Sequence, residues 1–330
     1  MRHVSILIPN GQFSIVNIAG AFQILEAANG MNVKRKGQEL FELEFVSTGR
    51  PSKDVLGLYT VNPTKLIGEI KNTDLIIVPA VHASIDIVLE NNRDIIEWIL
   101  DHYKKGAEVA SFCIGIYLVA ETGILDGKIC STHWAHAEKL KARFPKLKVK
   151  DENFITEDDG IYTSGGAYAF TNLILYLIEK FGGRTLAIEV AKNFMIDIDK
   201  GTQSTFSIFN GQKNHKDRLV LKVQNFIETN FENKFTVDEL ASDHSIVRRT
   251  LERRFKKATA NSINEYLQRV RVEAAKKQLE QDRKTINEVM FDVGYNDGKA
   301  FRDVFRKHAG LTPIEYRQKY DNTSIAFSRN

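Results

Sequence analysis

The feature that most constrains the fold is a change of sequence pattern near Gly211. Up to about residue 185, short β-branched runs alternate with segments whose apolar residues recur at helical spacing. Strands and helices in this order build a mostly parallel sheet with helices on both faces. After Gly211 the strand signals stop and the remaining patterns are helical. The sequence therefore predicts an α/β module followed by an all-α module.

In the first module, nearly continuous apolar runs predict strands that are buried on both faces. We expect a flavodoxin-like, doubly wound sheet, in which ligands bind beyond the carboxyl ends of the strands. The predicted strands are residues 4–8, 41–47, 75–78 and 108–112, and the predicted helices are residues 15–28, 94–104, 114–121 and 170–181.

Composition agrees with two folded domains and excludes several classes of protein. A chain of 330 residues exceeds what one hydrophobic core usually serves, and 43% hydrophobic with 27% charged residues excludes a disordered or fibrous chain. Cys113 and Cys130 provide neither a disulfide framework nor a zinc-finger spacing, so we expect no metal and no cofactor. No apolar run approaches the roughly 20 residues of a membrane span, which predicts a cytoplasmic protein without a membrane partner.

Charge separates the two modules more clearly than the net charge of +4 suggests. Residues 211–330 hold 24 Lys and Arg against 17 Asp and Glu, whereas residues 1–210 hold 22 against 25. A basic terminal module favours an anionic partner such as nucleic acid. Basic solvated surfaces are also common, so charge alone leaves both interpretations open.

Four capping boxes mark helix starts in the second module. In a capping box, a Ser or Thr hydroxyl and the carboxylate of a Glu three residues later satisfy free N–H groups of the first helical turn. Because each pair precedes a helical pattern, the four helix starts are well defined. The pairs are Thr236 with Glu239, Ser262 with Glu265, Thr285 with Glu288, and Thr312 with Glu315.

The boxes also reveal an internal repeat. Phe255 and Phe305 are 50 residues apart, and Tyr266 and Tyr316 have the same separation. In each copy a short helix, a turn and a basic helix form the helix-turn-helix pattern. The predicted short and basic helices are residues 237–243 and 248–257 in the first copy and residues 286–292 and 299–308 in the second.

A basic second helix suits DNA, because the major groove admits one α-helix and its phosphate rims attract Arg and Lys. The alternative is that these charges are only solvated surface. The duplication favours DNA, since two such helices joined by a long helix, residues 263–279, can enter successive major grooves roughly 34 Å apart. The predicted DNA contacts are Arg248, Arg249, Arg253, Asn296, Lys299, Arg302 and Arg306.

A recognisable set of residues in the second copy includes Gly294, Tyr295, Asn296, Phe301, Phe305, Gly310, Pro313 and Tyr316. On these residues the second module resembles the AraC/XylS family of transcriptional regulators, over about residues 216–320. Two departures are visible: Val247 replaces the Ser that usually begins the first recognition helix, and Asp303 occupies a usually basic position in the second. We therefore expect weaker capping at Val247 and weaker DNA contact by the second helix.

A cysteine at a strand-to-helix turn marks a candidate site in the first module. Cys113 lies between the predicted strand 108–112 and the predicted helix 114–121, and such an elbow exposes a side chain at the carboxyl edge of the sheet. The helix N-terminus is expected to favour the thiolate, and His133 is the candidate for a nearby base. A buried structural cysteine is the competing interpretation.

This module resembles the ThiJ/PfpI branch of the class I glutamine amidotransferase-like fold, which includes proteases, deglycases and the ligand domains of some AraC-type regulators. The resemblance implies that Cys113 corresponds to the elbow nucleophile and His133 to its partner. Two departures argue against turnover, since residues 12–17 contain no carboxylate, and Ala80 and Val81 stand where a Gly pair usually serves an oxyanion. The resemblance rests on residues 110–115, 121–128, 132–134 and 162–166.

Two functions are compatible with these observations. The first is a DNA-binding transcription regulator of the AraC type in the bacterial nucleoid, which binds promoter or operator DNA as a homodimer. Its activity would be modulated by a small-molecule effector or by dimerisation through the first module. The alternative is a Cys-dependent hydrolase or amidase of the PfpI type with an accessory DNA-binding module.

Tandem recognition helices favour the regulator, so we expect no catalytic residues. Cys113 and His133 would then be retained, together with Gly11 and Ala80, as a ligand site. The expected domains are a ligand and dimerisation domain at residues 1–195, a linker at 196–215, a DNA-binding domain at 216–320 and a tail at 321–330.

Overall fold

The computed structural model describes residues 1–50, 52–54, 57–198, 209, 211–213, 215–281 and 284–320. The chain divides into two compact modules: the α/β module spans Met1–Gln203 and the helical module spans Ser204–Asn330. The expected tail and most of the expected linker lie outside the described residues, so the domain bounds stay a prediction. Among the described helices, none is long and apolar enough to cross a membrane.

The α/β module alternates strands and helices as the sequence predicts. Three of the four predicted strands begin and end at the predicted residues, and the strand predicted at residues 4–8 spans Arg2–Leu7. The strands are β1 (Arg2–Leu7), β2 (Gly11–Phe13), β3 (Phe41–Ser47), β4 (Ser52–Asp54), β5 (Lys65–Leu66), β6 (Leu75–Val78), β7 (Val81–His82), β8 (Glu108–Phe112), β9 (Ile129–Cys130), β10 (Lys148–Val149), β11 (Ile155–Asp158) and β12 (Ile161–Ser164). The helices are α1 (Ile15–Lys36), α2 (Ile85–Asn91), α3 (Arg93–Lys104), α4 (Ile116–Glu121), α5 (Ala137–Arg143), α6 (Phe170–Gly182) and α7 (Arg184–Phe194).

A seven-stranded sheet forms the centre of this module, in the order β11-β12-β8-β6-β1-β3-β5. Neighbouring strands from β12 to β5 are parallel, and β11 is antiparallel to β12. Helices α2 to α5 pack on one face, and α1, α6 and α7 pack on the other. In β6, Ile76 and Val78 face the first core while Leu75 and Ile77 face the second. The doubly wound, mostly parallel fold predicted from sequence is confirmed.

Helix α1 is longer than the sequence predicts and ends at residue 36 instead of 28. The side chain of the buried Asn29 accepts the N–H groups of Leu40 and Phe41 and donates to the carbonyl of Phe41, at 2.8 to 3.0 Å. This polar residue therefore joins the helix to the start of β3 and does not end it. The helix stops only at Gly37, whose φ of 73° closes it with a left-handed cap.

The helical module follows the predicted capping pattern. Three boxes form both hydrogen bonds, and at the fourth the N–H of Glu265 donates to the Ser262 hydroxyl. The helices are α8 (Arg218–Thr229), α9 (Val237–Asp243), α10 (Arg248–Thr259), α11 (Ile263–Gln281), α12 (Ile286–Asp292), α13 (Gly298–Ala309) and α14 (Pro313–Tyr320).

The two copies of the internal repeat form equivalent hydrogen bonds. Tyr266 of α11 donates to Glu228 of α8, and Tyr316 of α14 donates to Glu280 of α11, each at 2.6 Å. Each tyrosine belongs to the helix after one helix-turn-helix unit, and each glutamate belongs to the helix before it. Each unit also has its own hydrophobic core, and α11 contributes to both cores. Helix α11 therefore ends the first unit and begins the second.

The turn of the second unit packs closely against the preceding chain at Gly294. Its φ is 82°, and a Cβ atom there would lie 2.6 Å from the carbonyl oxygen of Glu232 and 2.8 Å from the Arg271 guanidinium. That guanidinium donates to the carbonyls of Phe231 and Asn233 at 2.7 and 3.0 Å. Both the backbone angle and the close approach therefore require glycine.

We predict that Gly294→Ala lowers the free energy of unfolding of the helical module by about 1–3 kcal/mol, because it adds both backbone strain and a steric contact. Urea unfolding of the full chain, followed by circular dichroism, measures the change. Gly298→Ala is the matched control, since the nearest atom to its Cβ would lie at 3.4 Å, and we expect a change within about 0.5 kcal/mol. Equal effects of the two substitutions would contradict the assignment.

Candidate functional site

Loops that follow adjacent parallel strands meet at the carboxyl edge of the sheet in the α/β module. The order β3-β1-β6-β8-β12 places the change of winding direction between β1 and β6, where sheets of this type form a crevice. Gly11 follows β1, Ala80 follows β6, and Cys113 follows β8. Antiparallel pairing of β2 with β7, with Phe13 opposite Val81, joins the first two loops. Three of the expected ligand-site residues therefore lie on adjacent loops at one edge.

The backbone of Ala80 is bonded on both sides. Its N–H donates to the side-chain oxygen of the buried Asn17 at 3.1 Å, and its carbonyl accepts the N–H of Ser14 at 2.9 Å. The Asn17 amide also donates to the carbonyl of Ala167. The N–H group at the place of the usual glycine pair is therefore not free to bind an oxyanion.

Cys113 occupies a strained backbone position between β8 and α4. Its φ of 52° lies in the left-handed region, as in a nucleophile elbow. Gly115 lets this turn pass close to β6, because a Cβ atom there would collide with the carbonyl of Pro79. The turn is a 3-10 turn over Cys113–Gly115, so the predicted helix 114–121 becomes α-helical only at Ile116. The elbow is present, but Cys113 is only 7% exposed.

The expected thiolate character of Cys113 is not found. A hydrogen bond from the backbone of Ile114 lowers the pKa of the thiol, as a helix start should, but burial outweighs it and raises the pKa to about 11. Burial also raises the pKa of Cys130 to about 12. Both thiols are therefore protonated at neutral pH. The prediction of a helix-stabilised thiolate was wrong, because desolvation exceeds the effect of the helix end.

Hydroxyl groups hold the loop that carries His133. The backbone and hydroxyl of Ser131 both bond to Thr163 of β12, and the Thr132 hydroxyl donates to the carbonyl of Cys113 at 3.0 Å. The Nδ1 atom of His133 accepts a backbone N–H two residues further along. Within the described residues, no hydrogen bond joins this ring to the Cys113 sulfur. The loop therefore contacts the elbow without forming a nucleophile–base pair.

Three polar side chains at this edge were not singled out from the sequence. His82 ends β7, His136 shares a 3-10 turn with His133, and Tyr117 lies on α4. Burial lowers the pKa of His82, His133 and His136. The position of His82 just after a buried strand was the available signal, but neither it nor His136 belongs to a motif.

The first recognition helix, α10, has a buried apolar side and an exposed basic side. Leu251 and Phe255 are buried in the core of the first unit. Val247 at the N-cap provides no side-chain hydrogen bond, as its apolar nature predicts. The exposed basic residues of this helix are Arg248, Arg249, Arg253, Lys256 and Lys257.

One arginine of α10 has a structural role. Arg254 forms a two-bond ion pair with Asp217 at 2.6 and 2.8 Å. Asp217 is also the N-cap of α8, and the Arg254 guanidinium holds the pKa of its carboxyl below the usual value. Arg254 therefore fixes the recognition helix to α8.

The exposed arginines of α10 differ in their partners. Arg248 bonds to Asp238 at 2.8 Å and to Glu252 at 3.0 Å. In the described part of the chain, neither Arg249 nor Arg253 has an ion pair. Because these two lie one helical turn apart, their guanidinium groups share one face of the helix.

The second recognition helix, α13, repeats this arrangement. Phe301 and Phe305 are buried, and the N-cap residue Asp297 accepts the N–H of Ala300 at 2.6 Å. Asp303 is exposed among the cations and reduces the positive charge of this helix. The predicted contact residues here, all exposed, are Asn296, Lys299, Arg302 and Arg306.

Known proteins match both modules. The DJ-1/PfpI family matches residues 2–180, and a helix-turn-helix domain family matches residues 240–319. The HTH-type transcriptional regulator ArgR of Pseudomonas aeruginosa is 28% identical over 217 residues, 66% of this chain and 66% of that protein. GbdR, an HTH-type transcriptional regulator of the same species, is 25% identical over 308 residues, 93% of this chain and 82% of that protein.

A crystal structure of an AraC family transcriptional regulator from Pseudomonas putida superposes with a TM-score of 0.50 and 21% identity, over 59% of this chain and 100% of that one. This match shows a shared fold. The DJ-1/PfpI match covers more than half of the chain and falls in the α/β module, while the helix-turn-helix match covers the two repeated units. The chain therefore belongs to the DJ-1/PfpI family and, with its helix-turn-helix domain, is a transcription regulator of the AraC type.

Proposed function

We propose that the chain regulates transcription as a homodimer that binds one specific promoter or operator sequence, under the control of a small molecule. The observation that carries the proposal is the repeated geometry of α10 and α13. Each helix buries an apolar side and turns a row of cations to solvent. Such a helix fits the major groove and its phosphate rims.

The two recognition helices divide the contacts in this proposal. Arg249 and Arg253 read base edges, because an unpaired guanidinium can donate two hydrogen bonds to guanine. Arg248, which is bonded to acids, contacts phosphate instead. Helix α13 supplies the weaker share through Lys299, Arg302 and Arg306, with Asn296 in the turn before it. Asp303 opposes DNA there by repelling phosphate.

We predict that Arg249→Ala weakens binding to the preferred DNA site by about 1–3 kcal/mol, as expected for one lost base contact. The thermal midpoint should not change, because the side chain has no partner within the described residues. Gel-shift titration at fixed salt measures the affinity, with a site selected from random sequence by the purified chain.

Two further substitutions make this test specific. Arg254→Ala removes the ion pair to Asp217 and should lower the thermal midpoint, which Arg249→Ala should not do. Lys222→Ala removes a positive charge from α8 and should leave sequence preference intact. Unchanged affinity and selectivity in Arg249→Ala would refute the assigned contact.

We further propose that the DNA-binding unit begins near residue 209, within the segment first expected to be linker. Phe209 packs against the core of the first unit. The Asn261 amide donates to the Gln212 side chain at 2.6 Å, and the Lys213 ammonium donates to Glu228 at 2.6 Å. These contacts of Phe209, Gln212 and Lys213 support a boundary near residue 209.

A fragment of residues 209–320 should therefore melt at a higher temperature than a fragment of residues 216–320, by at least about 4 °C. The difference arises because the shorter fragment loses the Phe209 packing and the Lys213 ion pair. Both fragments should bind the selected DNA site at low temperature, which a gel shift would show. Equal melting temperatures in circular dichroism would contradict the proposed boundary.

We propose that the elbow binds the effector and does not turn it over. Three features of this site support the proposal. The Cys113 thiol is protonated and buried, it forms no hydrogen bond with His133 in the described structure, and the Ala80 N–H is engaged by Asn17. A covalent mechanism would need a thiolate, a base in contact and a free oxyanion donor.

The raised pKa predicts slow alkylation of Cys113. In a Cys130→Ser variant, the rate of reaction with iodoacetamide should be very low at pH 7 and rise about tenfold per pH unit toward pH 11, following the thiolate fraction. Mass spectrometry of the labelled chain measures the rate. A rate that levels off below pH 8 would show an activated thiol and favour the hydrolase.

A further inference from the structure

The half-buried His133 and His136 lie beside the buried Tyr117 at the carboxyl edge of the α/β module. The half-buried His82 ends β7 at the same edge. The rings of His133 and His136 have centroids 6.1 Å apart, and the Tyr117 ring meets the His136 ring edge-on at 6.5 Å. Positive charge on either His133 or His82 lowers the pKa of His136. Both of these imidazoles therefore lie near enough to act on His136.

Polar atoms in this cluster lack partners in the described structure. Tyr117 is 1% exposed, and its hydroxyl is buried without a hydrogen bond. The Nδ1 atom of His136 is also buried and unpaired. Buried polar atoms are normally hydrogen-bonded, so two unpaired atoms on neighbouring rings indicate a place where a ligand supplies the missing partner.

The charged groups that act on the cluster are mainly cations. Burial lowers the pKa of His136, and Lys139 of α5 lowers it further. Burial raises the pKa of the Tyr117 hydroxyl, and Arg143 of α5 opposes that rise. Arg143 is also bonded to Asp86 of α2 at 2.6 Å. In the part of the chain that the structure describes, no carboxylate shifts the pKa of any of the three histidines. Asp86 balances the charge of Arg143, whereas the histidines themselves have a cation, Lys139, and no carboxylate acting on them.

Two further groups near the cluster are neutral. Gln12 of β2 lies opposite His82, and the Cys113 thiol is protonated. His133 accepts the N–H of Ala135 at Nδ1, so its Nε2 carries the proton and can donate. A metal ion does not fit this cluster, since no three His, Cys, Asp or Glu side chains of the described residues could hold one.

We propose that His82, His133 and His136, with the Tyr117 hydroxyl, bind the anionic oxygen group of a small molecule, a carboxylate or a phosphate. This inference rests on the proposed small-molecule control and names the chemical group that the effector carries. The donors, the positive surroundings and the unpaired polar atoms all suit an anion.

The proposal makes binding depend on pH. The free histidines are neutral at pH 7, because burial lowers their pKa values, whereas a bound anion raises the pKa of an adjacent imidazole. The complex therefore takes up a proton. Affinity is greatest below the pKa of the free histidines and falls about tenfold per pH unit above it, until the pH passes the pKa of the bound form.

Trp134 provides a reporter, since its ring lies 5.2 Å from that of His133. The full chain is titrated with acetate, with inorganic phosphate and with acetamide, the uncharged analogue of acetate, while tryptophan fluorescence is recorded. We expect a saturable change with at least one anion and none with acetamide. The affinity should fall several-fold, up to about tenfold, between pH 6.5 and 7.5. The relative response to acetate and phosphate shows whether the site prefers a carboxylate or a phosphate group.

The double variant His82→Gln/His136→Gln should bind the anion at least about tenfold more weakly. His244→Gln, a histidine of the helical module, should bind it normally. Equal responses to acetate and acetamide, no response to either anion, or full binding by the double variant would overturn the proposal. If circular dichroism shows that the double variant is misfolded, the acetate–acetamide comparison and its pH dependence in the unaltered chain decide the question.

A gel shift on the same preparations separates this inference from the proposed function. If the unaltered chain binds DNA normally but binds neither acetate nor phosphate, only the assigned ligand group is contradicted. Absence of specific DNA binding by the unaltered chain contradicts the proposed regulator whatever the anion result.

Discussion

Burial of the parallel strands on both faces is the constraint on which the α/β module depends. Such strands leave only their ends accessible, and parallel pairing directs every carboxyl end to one edge. The loops after β1, β6 and β8 are therefore forced together, although they are far apart in sequence. The contact of Asn17 with Ala80 and the histidine cluster both follow from this arrangement. The elbow is tight because Gly115 must pass beside Pro79.

In the helical module, α11 has the corresponding role. The Tyr266 hydroxyl of α11 donates to a glutamate of α8, and Glu280 of α11 accepts a tyrosine hydroxyl of α14. The helix also contributes to both hydrophobic cores of the module. Arg271 adds bonds from α11 to the chain before α9. A shared helix of this kind fixes the two recognition helices relative to each other inside one module, which a protein needs if both helices are to reach one stretch of DNA.

Desolvation decides the chemistry of the α/β module. At Cys113 it outweighs the helix start, so the residue type and its position in the chain mislead about its charge. At the histidines desolvation lowers the pKa, so the imidazoles are also neutral and can gain a proton when an anion arrives. A site that is neutral when empty and charged when occupied suits reversible binding better than it suits covalent catalysis.

Sequence alone determined what depends on neighbours in the chain: the buried strands, the capped helix starts, the 50-residue repeat, and the exposed basic residues of both recognition helices. Tertiary structure decided what depends on distant groups. Arg254 is engaged by Asp217, 37 residues away, and the Ala80 amide is engaged by Asn17, 63 residues away. The same reason explains the continuation of α1 past Asn29 and the contact of the Tyr117 ring with the His136 ring. Periodicity indicates which side of an element is buried. Only the folded chain sets the solvent exposure that determines the pKa of a thiol and the ion-pair partners that an arginine side chain has.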